Sequence, residues 1–131
     1  MSVRIRVAEA LDLPTTPERF NPVVVEFYEQ VGYLPEALVN YLLLLGWALD
    51  DKTEFLTRDE MIEHFSLERV NKAAASFDPA KLSAFQEHYM VALPLEQKID
   101  RVLPYLEQAG LVAAGATAEA RPRVGEIVKA A

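Results

Sequence analysis

The sequence contains no cysteine, which excludes disulfides, thiolate metal sites and a cysteine nucleophile. It has two histidines, His64 and His88, too few for a histidine-rich metal site. Its five glycines are scattered at helix ends and connections, so no glycine-rich phosphate loop exists. Long hydrophobic runs are also missing. The longest, Tyr41 to Leu49, is interrupted by Gly46 and falls far short of the ~20 residues that a membrane span needs. The opening MSVRIRVAEALDLPTT carries charges throughout and lacks the apolar core of a signal peptide. These absences predict a soluble cytoplasmic protein with no membrane partner. Basic residues are outnumbered: 13 Lys and Arg against 20 Asp and Glu give a net charge of −7 and a pI near 4.8. A free-standing nucleic-acid-binding domain is usually basic, so only a local basic face would serve that purpose here.

What is present is a chain of 131 residues, 51% hydrophobic and 25% charged, enough for one compact domain or two small ones. The pattern predicts an all-α, irregular helical bundle and admits one short N-terminal strand at Val3–Val7, where apolar and charged residues alternate. Pro14 to Pro17 reads as a loop. Asn21-Pro22 has the chemistry of a helix start, with Val24, Phe27, Tyr28 and Val31 on one face and Gly32 as the stop. Pro35 opens a second helix with a stripe of Leu34, Leu38, Tyr41, Leu42 and Leu45. Leu43 and Leu44 fill its other side, which predicts a centrally buried helix ended by Gly46. Thr57-Arg58-Asp59-Glu60 matches a capping box, with Met61, Ile62 and Phe65 inward and Ser66 capping a short turn through Val70. Asp78-Pro79 starts another helix carrying Leu82, Phe85 and Tyr89. Pro94 starts the next, with Leu95, Ile99, Val102, Leu103 and Leu106 inward, kinked or split at Pro104 and stopped at Gly110. Ala113–Ala120 reads as a small-residue linker. A last helix then begins around Val124 and reaches Ala131 with no stop signal, which suggests truncation. Soft boundaries fall near Ser76–Asp78 and at Ala113–Thr117.

No catalytic set is visible. Asp50 with Asp51, and Asp59 with Glu60, stand where turn-forming and capping acids belong. His64 reads as a surface residue and His88 as a structural one. No serine occupies a nucleophile elbow. One stretch departs from the acidic background: RVNKAAASFDPAK sets Arg69, Lys72 and Lys81 against the single acid Asp78, with Asn71 and Ser76 as neutral donors. Cations beside short polar side chains suit phosphate contacts; a solvated helix edge is the plainer reading.

Two strings are more specific. GYLPEALVNYLLLLGW (Gly32 to Trp47) and FSLERVNKAAASFDPAKL (Phe65 to Leu82), followed by His88-Tyr89, resemble in order and spacing the stretch after the KMSKS-type loop of bacterial glutamyl-tRNA synthetases. LEQKIDRVLPYLEQAGL (Leu95 to Leu111) is similar to the next helices of that family, with weaker motifs. The resemblance implies a piece of a class I glutamate–tRNA ligase that lacks the Rossmann core. ATP, with magnesium, would be bound in that missing domain, whose HIGH-like and KMSKS-like signatures are absent here. It divides the chain into residues 1–20 following the catalytic domain, a stem-contact-like region over 21–77, and the first part of a helical anticodon-binding-like region over 78–131. No catalytic, cofactor-binding or metal-binding residue is expected in this chain. Carried over by position, Arg69, Asn71, Lys72 and Lys81 are the tRNA-binding residues, while Tyr33, Trp47, Phe77 and Tyr89 match family aromatics and read as core. The implied partners are a Glu-accepting tRNA and the catalytic domain of the same polypeptide. Ala84-Phe85-Gln86 stand where the family often has Trp-Leu-Asn, and Leu13 to Asn21 is longer and richer in proline than the usual link. Two alternatives stay open: a stand-alone protein–protein interaction module derived from a synthetase, and a fragment of a glutaminyl-specific homologue. The truncated paralogue that modifies queuosine in tRNA lacks this helical region and is disfavoured.

Overall fold

A computed structural model describes residues 25–131. Among them are six α-helices, one 3-10 turn and no strand. The short strand at Val3–Val7, the loop at Pro14–Pro17 and the Asn21-Pro22 helix start lie outside the described residues. Contacts divide the chain into two compact units, one of Tyr33–Ala92 and one that joins residues 25–32 to Leu93–Ala131.

The Tyr33–Ala92 unit holds α2 (Pro35–Gly46), α3 (Arg58–His64), the 3-10 turn (Leu67–Arg69) and α4 (Pro79–Ala92). Pro35 fits the first turn of α2 because its missing N–H would have no helical partner there. The donor just before it, Leu34 N–H, is accepted by Gln86 Oε1 at 2.8 Å. The expected capping box exists: Thr57 Oγ1 accepts from Glu60 N at 3.2 Å, and Glu60 Oε2 accepts from Thr57 N at 2.7 Å. Asp78 Oδ1 accepts from Ala80 N at 2.9 Å and opens α4 as an acidic cap. The packing of α2 on α4 forms the core, with Ala37, Tyr41, Leu82 and Phe85 almost fully enclosed. A second cluster joins Trp47, Leu56 and Met61.

Several expected core positions are corrected. Of the expected stripe on α2, Leu34 and Tyr41 are buried, but the face is completed by Ala37 and Asn40, and Leu42 is 47% exposed. Helix spacing explains this: positions 37, 40 and 41 share the face turned to α4, and Leu42 lies about 100° away from Tyr41. Ile62 is 68% exposed on α3, where only Met61 faces inward. Phe65 is partly exposed with its ring 6.0 Å from that of Trp47, and Phe77 is 40% exposed at the edge of the Tyr41 ring. Ser66 precedes the 3-10 turn but makes no side-chain cap.

The other unit contains α1 (Val25–Val31), α5 (Leu95–Gln108) and α6 (Thr117–Ala130). Ile99, Leu103 and Val124 form one buried cluster in it, and Phe27 and Tyr28 of α1 are also buried. Gly125 permits a close approach, since a methyl there would stand 3.1 Å from Ile99 Cδ1. Pro104 neither splits α5 nor ends it. Proline removes one i→i−4 bond, and the Ile99 and Leu103 contacts hold the helix across that gap. The last helix begins at Thr117 and passes through Pro122, so the connection is shorter than the expected Ala113–Ala120 linker. Arg121 ties α6 to α5 through Asp100 at 2.6 Å and Glu96 at 2.8 Å, exposed pairs of small energetic weight.

Gly32 ends α1 at φ +93°, and a Cβ there would meet the Tyr105 ring at 3.4 Å. Tyr105 is itself held by its hydroxyl, which donates to the Glu29 carbonyl at 2.7 Å. Gly32→Ala should therefore lower unfolding free energy by about 1–2 kcal/mol through left-handed backbone strain. Urea denaturation checks this, and a loss too small to measure would mean that the backbone relaxes out of the left-handed region.

Candidate nucleic-acid interface

The segment that follows the capping box is short of regular structure, so its backbone groups need partners elsewhere. After α3 the chain makes the 3-10 turn and then runs without helix to Pro79. Two hydrogen bonds fasten it to the last residue of α2 and to the stretch just after that helix. Asn71 N–H donates to the Gly46 carbonyl at 2.7 Å. The Arg69 guanidinium donates through Nη1 to the Leu49 carbonyl at 2.9 Å. Both residues line a groove of about 440 Å³ together with Trp47, Leu49, Asp50 and Asp51.

The Asp50 carboxylate organises a turn that lines the same groove. Its Oδ1 accepts from Lys52 N at 2.8 Å and from Thr53 N at 2.6 Å, and its Oδ2 accepts from Thr53 Oγ1 at 2.8 Å. The Thr53 and Lys52 backbone donors and the Thr53 hydroxyl hold this carboxyl below the usual carboxylate range, and the positive charge of Arg69 adds to the effect. As pH falls, the charged turn therefore persists past the point where an ordinary aspartate protonates.

The four tRNA-binding candidates divide. Arg69 and Asn71 share the groove. The Asn71 side chain is spent on its own loop, with Oδ1 accepting from Ala73 N at 2.9 Å. Lys72, the next residue, is exposed and has no ion pair or hydrogen bond among the described residues. Lys81 stands apart in the first turn of α4, with Nζ 2.8 Å from Glu54 Oε1. Both side chains of that pair are about half exposed, so the pair is weak and a stronger anion can displace it. The string RVNKAAASFDPAK is thus less positive in place than in sequence, because Asp50 and Glu54 come from an earlier loop.

The same unit holds a polar hub that has no signature in the sequence. Asn40 is fully buried. Its Nδ2 donates to the Glu54 carbonyl at 2.9 Å, and its Oδ1 accepts from Leu56 N at 3.1 Å and from the Tyr89 hydroxyl at 2.6 Å. The same hydroxyl lies 2.7 Å from the Leu56 carbonyl, so its single proton is shared between two acceptors. Burial raises the Tyr89 pKa above the ordinary tyrosine value. The hub clamps the 54–56 stretch to α2 and α4. A separate apolar pocket of about 550 Å³, lined by Pro35, Val39, Leu56, Arg58, Met61 and Tyr89, opens beside it. His88 is exposed and lies flat on Phe55, with ring centroids 3.6 Å apart. No group of three His, Asp or Glu residues among those described is arranged to hold a metal ion. No described helix is long and apolar enough to cross a membrane.

Residues 18–84, just over half of the chain, match the family described as tRNA synthetases class I (E and Q), catalytic domain. The chain is 40% identical over 109 residues to the glutamate–tRNA ligase of Herpetosiphon aurantiacus, covering 83% of this chain and 22% of that protein. It is 47% identical over 87 residues to the glutamate–tRNA ligase of a Dehalococcoides mccartyi strain, covering 66% of this chain and 18% of that protein. The crystal structure of the glutamate–tRNA synthetase from Elizabethkingia anophelis is similar with a TM-score of 0.53 and 38% identity, over 59% of this chain and 16% of that one. The chain spans about a fifth of the length of the curated relatives it matches.

Proposed function

The chain belongs to the class I tRNA synthetases of the glutamate and glutamine type, and from that premise we propose that it is a tRNA-contacting helical part of a glutamate–tRNA ligase. The whole enzyme would use ATP, with magnesium, to attach glutamate to tRNA in the cytoplasm, and this chain would be inactive alone. In this reading residues 21–77 serve as the stem-contact region and 78–131 as the first part of the anticodon-binding region. That is a division by family resemblance; the compact packing units divide at Gly32 and Ala92 instead. The partners are a Glu-accepting tRNA and the catalytic domain of the same polypeptide.

One observation carries the reading. Arg69, anchored by one hydrogen bond at the end of the 3-10 turn, and the unpaired Lys72 lie three residues apart in an exposed stretch that matches the family string. Donors held in place and free of strong ion pairs suit phosphate oxygens. Lys81 would join them by exchanging Glu54 for a phosphate. The net charge of −7 opposes approach, so affinity should be weak and strongly salt-dependent.

Titrating the chain with a tRNA-Glu transcript at several salt concentrations tests the assignment. Replacing Arg69 and Lys72 together with alanine should weaken binding and reduce the salt slope by about one unit per lost phosphate contact. An unchanged slope would remove both residues from the interface. The exposure of Val39, Ile62 and Leu67 favours a second reading, a surface that docks on another protein body. HIGH-like and KMSKS-like signatures upstream in the same reading frame would make that body the catalytic domain.

A further inference from the structure

Arg69 has five N–H donors, and one of them is used on the Leu49 carbonyl. The remaining four meet no acceptor among the described residues. An arginine fixed at one corner and free along the rest of its fork is preorganised for an anion, because its rotamer entropy is already spent. The device that fixes it lies in the Asp50 turn. The Leu49 carbonyl and the Asp50 N–H belong to one planar peptide unit, so whatever holds Asp50 also aims that carbonyl. Three hydrogen bonds hold Asp50, from Lys52 N, Thr53 N and Thr53 Oγ1. From the other side, the Asn71 N–H to Gly46 bond sets the distance between the two segments.

We propose that Asp50 is a positioning residue for tRNA binding: its turn aims the Leu49 carbonyl, which orients the Arg69 guanidinium toward a phosphate. This rests on the reading of Arg69 as a phosphate contact. It also makes a counter-intuitive prediction of sign. Removing an acid from an RNA-binding face should tighten binding by simple charge, since one repulsive group is lost. If Asp50 positions Arg69, its removal weakens binding instead.

The test is a double-mutant cycle on the full chain with a tRNA-Glu transcript, read as Kd between about 50 and 200 mM salt. Asp50→Ala should weaken binding about two- to tenfold, the scale of re-immobilising one long side chain. In the Arg69→Ala background the same substitution should cause no loss, because there is nothing left to position. Thr53→Ala removes one of the three bonds without changing charge and should act in the same direction with a smaller effect. It also carries the test if Asp50→Ala does not fold, as judged by helical circular dichroism. Tighter binding by Asp50→Ala, or an equal loss in both backgrounds, overturns the positioning role. If Arg69→Ala alone leaves both affinity and salt slope unchanged, the phosphate reading itself fails. If Arg69→Ala weakens binding while Asp50→Ala and Thr53→Ala do not, only the positioning role fails.

Discussion

Asn40→Asp should destabilise this chain by about 4 kcal/mol at pH 7 and by almost nothing near pH 4. The substitution changes a buried amide into a carboxyl of the same shape. One carboxyl oxygen inherits the acceptor role toward Leu56 N–H and the Tyr89 hydroxyl. The other replaces Nδ2, which donates to the Glu54 carbonyl at 2.9 Å. Two oxygens at that distance repel unless one carries a proton, and the site is fully buried. The folded state therefore holds the acid protonated, with a pKa raised roughly 3–5 units above its unfolded value. Its contribution is fully present below the unfolded pKa of about 3.9 and falls by about 1.4 kcal/mol per pH unit as pH rises through the window up to the folded pKa. The cost at pH 7 is the free energy of protonating such an acid there. Urea denaturation of variant and parent at pH 4 and pH 7 gives the difference directly. Asn40→Ala is the control, because it loses the same hydrogen bonds at both pH values and its deficit should not move. A deficit of Asn40→Asp that is equal at the two pH values would mean that water reaches the hub and the carboxylate is tolerated charged.

Asn40 also marks where sequence reasoning stopped. The features it recovered are those whose partners lie within one turn. Thr57 and Glu60 cap each other, Asp78 caps α4, and Gly32 and Gly110 take positive φ at helix stops. Each is fixed by chemistry at a spacing of a few residues. Burial within α2 is fixed by α4 instead. An asparagine inside a leucine run gives no amphipathic signal, yet the facing helix selects Ala37, Asn40 and Tyr41 and leaves Leu42 outward. α6 starts earlier than its expected position near Val124 because the small residues of Ala113–Ala120 resemble a linker in sequence, whereas Val124 and Val128 against Ile99 and Leu103 supply the helix with its packing face. The same division holds at the candidate interface. Arg69, Asn71, Lys72 and Lys81 are proposed contacts because a family string carries them. The Leu49 carbonyl was not legible, since a backbone acceptor has no side-chain signature. Glu54 is 27 residues from Lys81 in sequence, so only the fold brings it into an ion pair. Phe85 and Gln86 stand where the family often has other residues, and both are used here: Phe85 in the core and Gln86 on the Leu34 N–H.

Phe85→Ala should cost about 3–5 kcal/mol, the range for an enclosed phenylalanine whose surroundings do not collapse. Phe85 is 1% exposed at the contact of α2 with α4. Its ring sits edge-on to Tyr41 with centroids 5.9 Å apart, and 4.8 Å from the Phe55 ring. Collapse is blocked because the two helices are tied independently. Gln86 holds Leu34, the Tyr41 hydroxyl accepts from Asp78 N at 2.6 Å, and Tyr89 is bonded to Asn40. Those bonds keep α2 and α4 at their present separation, so the lost ring leaves a void rather than a closer contact. Phe85→Leu refills most of that volume and should lose about 1–1.5 kcal/mol. Leu42→Ala, on the outward face of the same helix, should lose well under 1 kcal/mol, since a half-exposed side chain leaves a gap that solvent fills. The order Phe85→Ala, Phe85→Leu, Leu42→Ala in urea midpoints is the expected result, and near-equal losses for Phe85→Ala and Leu42→Ala would mean that α2 packs through its leucine stripe after all. Well below its melting temperature, Phe85→Ala should bind tRNA with the affinity of the parent. The Arg69 groove is built from the end of α2 and its own loop bonds, which the void does not touch.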